Sequence, residues 1–248
     1  MKISIITISF NSVKTILETI QSVQTQTYKN IEYIIKDGGS NDGTIEVINQ
    51  YLGQLSLVIS EPDKGIYDAM NKGIRMASGD IIGILNSDDI YVDANVLSDV
   101  IQQFNSNKKL DILYGDLIYV KKNDTSKVVR KWKSKPYFKN FFEYGNVPPH
   151  PTIFVKKNIY QEAGLFDIQY KLAADYEFML RVFKKYNYES KYINRVMVKM
   201  RMGGATNKSF KNIINGNKEI LSAWRNNGLK PPINLMPIRI VKRLLQYL

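Results

Sequence analysis

Between Ile3 and Leu85 the sequence alternates two hydrophobic rhythms, and this restricts the fold more than any other feature of the chain. Four short apolar runs rich in β-branched residues, Ile3 to Ile8, Ile31 to Ile35, Leu57 to Ile59 and Ile81 to Leu85, each end in polar or glycine-rich turns. Short runs of this kind are those of strands covered on both faces, as in a parallel sheet. Helix-period stretches separate them. Val13 to Val23 sets Val13, Ile16, Leu17, Ile20 and Val23 on one stripe with Ser12 or Asn11 as cap; Thr44 to Leu52 and Ile66 to Ala77 follow. Strict alternation of strand and helix predicts an α/β fold: a right-handed, mostly parallel central sheet with helices on both faces.

Beyond Asp93 the pattern changes. Ala94 to Phe104 reads as a helix, and Asp111 to Val120 and Lys127 to Trp132 as strands around a polar turn at 121–125. Residues 133–151 are aromatic and proline-bearing, a loop expected to fold over a neighbouring surface. Leu172 to Tyr186 predicts a helix, Tyr188 to Met202 a strand pair or one long strand, and Ser209 to Asn226 a helix. A break at Lys230-Pro-Pro232 precedes a tail in which Ile238, Val241, Leu244, Leu245 and Leu248 share a face, with Arg239, Lys242 and Arg243 beside them. That is the pattern of a basic amphipathic helix.

In an open parallel sheet, ligands bind beyond the carboxyl ends of the strands. The second strand runs into Asp37-Gly-Gly-Ser-Asn-Asp42, the third into Ser60-Glu-Pro-Asp-Lys-Gly65 and the fourth into Asn86-Ser-Asp-Asp89. Acidic side chains at three successive strand ends converge on one crevice, where they raise one another's pKa unless a cation lies between them. Carboxylate oxygens suit Mg²⁺ or Mn²⁺, which keep waters and bridge to phosphates. Asp42 and Asp93 fit helix capping equally well. At Asp88-Asp89 two adjacent acids would make a cap redundant.

Other chemistries are excluded by what the chain lacks. It contains no Cys and 1 His, which removes disulfides, thiolate metal sites, a cysteine nucleophile and multi-histidine zinc sites. It has no GxxxxGK[ST], no GxGxxG spacing around Gly38-Gly39 and no GxSxG. What survives is a nucleotide-phosphate site held by carboxylates and a metal. The chain carries 35 Lys+Arg against 23 Asp+Glu, a net charge of +12, which calls for an anionic partner: nucleic acid, an acidic membrane surface or a phosphorylated substrate. The basic excess lies after residue 100 and in the tail. The aromatic, basic stretch Lys121 to Lys139 is the segment nearest to a nucleic-acid-binding pattern, the alternative function, and suits lipid headgroups or a lipid diphosphate equally. No signal-peptide core and no apolar window of membrane-spanning length is present, so the expected location is cytoplasmic.

The motifs Lys2-Ile-Ser-Ile-Ile-Thr-Ile-Ser-Phe-Asn11, Asp37-Gly-Gly-Ser-Asn-Asp-Gly-Thr44, Ser60-Glu-Pro-Asp-Lys-Gly-Ile-Tyr-Asp-Ala-Met-Asn-Lys-Gly-Ile74, Ala77-Ser-Gly-Asp80 and Leu85-Asn-Ser-Asp-Asp89 stand in that order. With them the chain resembles a family 2 glycosyltransferase of the GT-A fold, most of all the bacterial branch that builds O-antigen, capsule or colanic acid. The likeness is strongest over the first ninety residues and looser over Leu165 to Arg181. It implies one GT-A domain over 1–228, with a nucleotide-binding half at 1–93 and an acceptor-side half at 94–228, followed by the tail at 229–248. It also implies inverting, Mn²⁺- or Mg²⁺-dependent transfer of a hexose from a nucleotide-diphosphate sugar, a UDP-sugar above all, to a polyprenyl-diphosphate-linked saccharide. The enzyme would sit peripherally on the inner, anionic face of the cell membrane, with no nucleic-acid partner.

The resemblance assigns roles residue by residue. Asp37 would accept the uracil N3–H, with Thr7, Ser9 and Asn11 lining the base and ribose. Asn86-Ser87-Asp88 takes the DxD position; Asn86 replaces its first acid, so the division of metal binding between Asp88 and Asp89 stays open. Glu61, Asp63, Lys64, Gly65, Asp68 and Asn71 would contact sugar or phosphates, although Lys64 also fits an exposed loop lysine. Asp175, in Leu172-Ala-Ala-Asp-Tyr-Glu-Phe-Met-Leu-Arg181, would be the general base, with Ala174 where a Glu often stands. Glu177, Arg181, His150 and Arg201 would lie on the acceptor side. A structural role fits His150 as well, and Arg201 and Lys208 suit either a phosphate clamp or solvent.

Overall fold

The computed structural model describes residues 1–203 and 210–246. The four apolar runs form strands β1 (Ile3–Ser9), β2 (Ile31–Asp37), β3 (Leu57–Ser60) and β4 (Ile81–Ile84), parallel and ordered β3-β2-β1-β4. Helices α1 (Ile16–Gln24), α2 (Thr44–Asn49) and α3 (Ile66–Met76) connect them. β1 is buried along its whole length because helices cover both of its faces. Ile6 and Ile8 join a core with Met70 and Ile74 of α3, whereas Ile3 and Ile5 join a second core with Ile16, Ile20 and Val23 of α1. α1 starts later than its apolar stripe suggested. The Ser12 carbonyl accepts the Thr15 and Ile16 N–H groups in a tight turn, Leu17 stays exposed, and Thr19 takes the buried position instead.

Past β4 the sheet becomes mixed. β8 (Phe154–Lys156) lies antiparallel on β4, and β6 (Ile112–Lys121) lies antiparallel on β8. β9 (Ser190–Arg201), one long strand, runs parallel to β6 and pairs antiparallel with β5 (Asp89–Tyr91), while β7 (Asp124–Trp132) forms a hairpin on β6. The three-residue strands β5 and β8 are too short to leave a periodic signal. α4 (Val96–Ser106) and α5 (Lys157–Glu162) pack outside the sheet, the latter unanticipated. The helix expected over Leu172 to Tyr186 is divided into α6 (Ala174–Met179) and a π-helical continuation, Leu180–Lys185. α7 (Phe210–Asn226) follows, and Lys208 and the rest of 204–209 fall outside the described residues.

The 133–151 loop does fold over a surface. Phe141 and Phe142 are buried, and Phe142 meets Tyr176 of α6 edge-on at 5.9 Å. The tail helix α8 (Leu235–Leu245) lies against the same region. Leu235 is fully buried, the Arg239 guanidinium lies 4.8 Å from the centre of the Tyr176 ring, and Lys242 donates to Asn146 Oδ1. This docking corrects the expected apolar stripe. Ile238 faces the body at Gly145, and Ile240, Val241, Leu244 and Leu245 form the exposed face; Leu248 lies outside the described residues.

Candidate active site

The crevice is built where β1, β2, β3 and β4 end. Asp37, the last residue of β2, is fully buried. Its Oδ2 accepts the Gly39 N–H at 2.9 Å, the Ser40 N–H at 2.9 Å and the Ser60 hydroxyl at 2.8 Å, while Oδ1 accepts the Ser40 hydroxyl at 2.5 Å. Burial alone would raise its pKa, but the Ser40, Ser60 and Gly39 donors outweigh burial and hold it below the usual carboxylate range. Asn11, with φ of 49°, ties this turn to the end of β1 through the Asn41 N–H, and Asp42 accepts the Val13 and Thr44 N–H groups, while Gly43 stands at the N-cap of α2 without a side-chain bond. Phe10, named by no motif role, stands 64% exposed on the rim beside Gly38.

Behind the rim lies a knot of charges that the sequence reading missed. Lys36 is fully buried, and its ammonium donates to the Asp37 carbonyl at 2.6 Å, the Glu61 carbonyl at 2.8 Å and Asp63 Oδ2 at 2.9 Å. Lys72 bridges Asp63 Oδ1 at 2.8 Å and Glu61 Oε1 at 2.9 Å, and its pKa is raised by those two hydrogen-bonded acids. Asp63 is therefore engaged by two lysines, one on each carboxylate oxygen. Asn71 is likewise committed: its amide donates to the Phe166 carbonyl and accepts the Phe166 N–H, clamping α3 to the 164–166 turn. Thr7 is fully buried against the Tyr33 hydroxyl, 3.1 Å away, and lines no crevice. Ser9 is buried too, although its hydroxyl has no protein partner. Lys64 and Gly65 remain on the exposed loop, where the Lys64 N–H donates to Asp68 Oδ2 at 3.0 Å.

The acid turn after β4 is pinned from two sides. Ser87 donates its N–H to the Ile8 carbonyl, and its hydroxyl lies 2.7 Å from that of Ser12. Arg201, buried at the end of β9, donates to the Asp88 carbonyl at 2.6 Å and pairs with Glu18 of α1 at 2.7 Å. It thus buttresses the acid turn. Asp89 is fully buried; Asn86 Nδ2 donates to its Oδ2 at 2.9 Å, while Asp89 Oδ1 has no partner. Burial raises the pKa of Asp88, and burial with the adjacent Asp88 charge pushes Asp89 further up. Among the described residues no group of three or more His, Cys, Asp and Glu is placed to hold a metal. Two neighbouring carboxylates, one with an orphaned buried oxygen, still fit a hard cation that draws its other ligands from water and phosphate.

Across the crevice, α6 presents Asp175. Its Oδ1 accepts the Tyr67 hydroxyl at 3.0 Å, and its Oδ2 lies 3.5 Å from His150 Nδ1. The other ring nitrogen, Nε2, lies 3.4 Å from Asn86 Nδ2. His150 therefore stands between the acid turn and Asp175. Burial lowers its pKa, against the opposing pull of Asp175 and Asp88. Tyr67 is raised well above the usual tyrosine range by burial and by the Asp175 charge.

Glu177 and Arg181 do not join this group. Arg181 donates to Glu177 Oε1 at 2.9 Å, to Glu177 Oε2 at 2.8 Å, to the Leu165 carbonyl at 2.7 Å and to the Ala163 carbonyl. Asn227 donates to the same Glu177 Oε1 at 2.9 Å. One helical turn apart, the pair forms a buried strut that fixes the 163–165 turn.

A family model described as glycosyl transferase family 2 matches residues 4–160. A PGL/p-HBAD biosynthesis glycosyltransferase of Mycobacterium bovis is 27% identical over 208 residues, covering 82% of this chain and 78% of the relative. An uncharacterized glycosyltransferase of Mycobacterium tuberculosis is 32% identical over 181 residues, covering 72% and 68%. Among solved structures, residues 1–349 of Staphylococcus aureus TarS in complex with UDP-GlcNAc match with a TM-score of 0.70 at 17% identity, over 96% of this chain and 70% of that one. The mannosyltransferase PcManGT from Pyrobaculum calidifontis, in complex with GDP-Man and Mn²⁺, matches with a TM-score of 0.68 at 16% identity, over 98% and 69%. This chain spans 40% of the longer TarS chain. The GT-A sheet, its acid turn and the matching family model lead to one assignment: the chain belongs to glycosyl transferase family 2 and is a glycosyltransferase.

Proposed function

We propose that this glycosyltransferase is an inverting, metal-dependent enzyme that moves a hexose from a UDP-sugar to a saccharide carried on a polyprenyl diphosphate, in the synthesis of a bacterial surface polysaccharide. The observation that carries the reading is the approach of two acidic centres across one crevice, Asp88-Asp89 on one wall and Asp175 on the other, with His150 between them. The UDP-GlcNAc bound to TarS and the GDP-Man and Mn²⁺ bound to PcManGT support a nucleotide-sugar donor and a divalent ion.

In the reaction, an acceptor hydroxyl attacks the anomeric carbon from the face opposite the diphosphate. Asp175 takes the hydroxyl proton as the new C–O bond forms, and the bond to the diphosphate breaks with its electron pair leaving on oxygen. Asp88, less buried than Asp89, would hold a Mn²⁺ or Mg²⁺ ion with Asp89 Oδ1 beside it, and that ion would offset the charge gathering on the departing diphosphate. Asn86 Oδ1, buried without a protein donor, suits a donor-side hydroxyl. Phe10 suits stacking on the base. Lys64 and Glu61, exposed on the loop after β3, suit contacts with the sugar and phosphates. UDP release from UDP-sugars, with a lipid-diphosphate saccharide and with Mn²⁺ or EDTA, tests the reading. Asp88→Ala is expected to lose metal-stimulated turnover by about 10²-fold or more. Turnover that EDTA and Asp88→Ala leave untouched would remove the metal from the mechanism. Salt-sensitive binding of DNA or RNA without any UDP release would favour the nucleic-acid reading.

The acceptor's lipid directs attention to α8. Ile240, Val241, Leu244 and Leu245 are each more than half exposed, and the Lys131 N–H bonds the Gln246 carbonyl, so the basic end of β7 lies beside this apolar face. Among the described residues no helix is long and apolar enough to cross a membrane. An exposed apolar face bordered by Lys131 and Lys133 suits peripheral attachment to an anionic bilayer on its cytoplasmic side. Val241→Glu with Leu244→Glu should lower sedimentation with phosphatidylglycerol vesicles about tenfold or more. Equal sedimentation of the two proteins would end the membrane assignment.

A further inference from the structure

We propose that Asn86, His150 and Tyr67 orient the Asp175 carboxylate at both of its oxygens, Tyr67 by a hydrogen bond to Oδ1 and His150, itself turned by Asn86, by a 3.5 Å polar contact with Oδ2, with Asn86 and Tyr67 acting as positioning residues. The inference rests on the reading of Asp175 as the base. Its starting point is the departure at Asn86, where the family motif carries an acid.

An amide nitrogen only donates, and Asn86 Nδ2 has two acceptors in reach, Asp89 Oδ2 at 2.9 Å and His150 Nε2 at 3.4 Å. With Asp89 Oδ2 as the nearer partner, the amide orientation is set, since the carbonyl oxygen turned that way would face a carboxylate oxygen. His150 Nε2 must then accept, which places the ring proton of neutral His150 on Nδ1. Nδ1 is the atom 3.5 Å from Asp175 Oδ2. On the other oxygen, Tyr67 donates at 3.0 Å from a ring that is 8% exposed and rests 5.8 Å from the centre of Phe166. Phe166 is in turn held by Asn71 through both of its backbone groups. The carboxylate is thereby oriented by two elements distant in sequence, and its remaining lone pairs are left for an acceptor hydroxyl. An acid at position 86 could not play this part, because it would accept where His150 Nε2 needs a donor. The departure from the motif thus has a physical reason: the amide links the acid turn to the base.

The chain's single histidine makes the test direct. Nitrogen-15 chemical shifts of His150 in the whole protein, at about pH 8 and so above the ordinary histidine range, report the tautomer without assignment ambiguity. The Nδ1–H form is expected in the wild type, and Asn86→Leu, which removes the donor, should shift the population toward Nε2–H. A wild-type Nε2–H tautomer overturns the proposal, and that measurement needs no variant to fold. In turnover, Tyr67→Phe should lower kcat about tenfold with the dissociation constant for UDP unchanged. Unaltered kcat in Tyr67→Phe beside an inactive Asp175→Asn would refute the positioning role alone. Activity retained in Asp175→Asn would instead refute the base on which it rests.

Discussion

Asp175→Asn is expected to abolish sugar transfer, lowering kcat by about 10²–10⁴-fold, the usual contribution of a positioned general base. The amide is isosteric, so Tyr67 and His150 keep a partner at 3.0 Å and 3.5 Å and the site should hold its shape. What the amide lacks is a basic lone pair able to take the proton of the attacking hydroxyl. Nucleotide binding should not change, because the Asp37 turn and the acid turn lie on the opposite wall and make no hydrogen bond to Asp175. Turnover with a series of acceptors, together with calorimetric titration of UDP, separates the two quantities. A matching loss of UDP affinity would show that Asp175 serves the donor rather than the chemistry.

The largest stability effect is expected away from the crevice, at Arg181. Arg181→Met would leave Glu177 buried, with Asn227 as its remaining side-chain donor, and would strip the Ala163 and Leu165 carbonyls of the same guanidinium. Both members of the pair are about nine-tenths buried, at 11% and 7% exposed. Removing one partner of such a pair costs about 3–5 kcal/mol, since an uncompensated charge stays behind. At about 2–4 °C per kcal/mol for a chain of this size, Tm should fall by roughly 6–20 °C. Below its own melting temperature the variant should turn over with an unaltered KM for acceptor, as befits a strut. Thermal unfolding followed by circular dichroism, with kinetics well below Tm, checks both halves. A raised acceptor KM at unchanged Tm would restore Arg181 to the acceptor surface.

The contrast between these two residues shows what a sequence can carry. Parallel strands β1 to β4 were legible because each is covered on both faces, and that leaves a dense apolar run. The ends of those strands were legible because polar residues cluster where the chain leaves the core. Asp37, Asp88 and Asp89 stood out for that reason. Lys36 did not, because a lysine between Ile35 and Asp37 reads as the polar end of a strand. Only the return of the 61–63 segment, which adds the Glu61 carbonyl and the Asp63 carboxylate to the neighbouring Asp37 carbonyl, makes its burial tolerable. At Asn71, Glu177 and Arg181 the structure shows partners that the sequence did not announce. Their types suit ligand binding, and nothing local announces that the 163–166 turn and Asn227 fold back to consume them. Tyr67 was hidden in a helical stripe, where its ring earns a place by packing and its hydroxyl goes unnoticed.

The acid turn also bears on how far this half of the protein can stand alone. Its outer support is β9, whose Arg201 reaches the Asp88 carbonyl from 113 residues along the chain. During synthesis the turns that follow β1 to β4 emerge long before β9 exists, so Asp88 and Asp89 lack their final enclosure until most of the polypeptide has been made. The region matched by the family model ends at residue 160, short of that strand. A chimera joined at that boundary would thus import the other parent's β9, and with it a foreign wall for its own acid turn. The acid turn is therefore not a transplantable cassette.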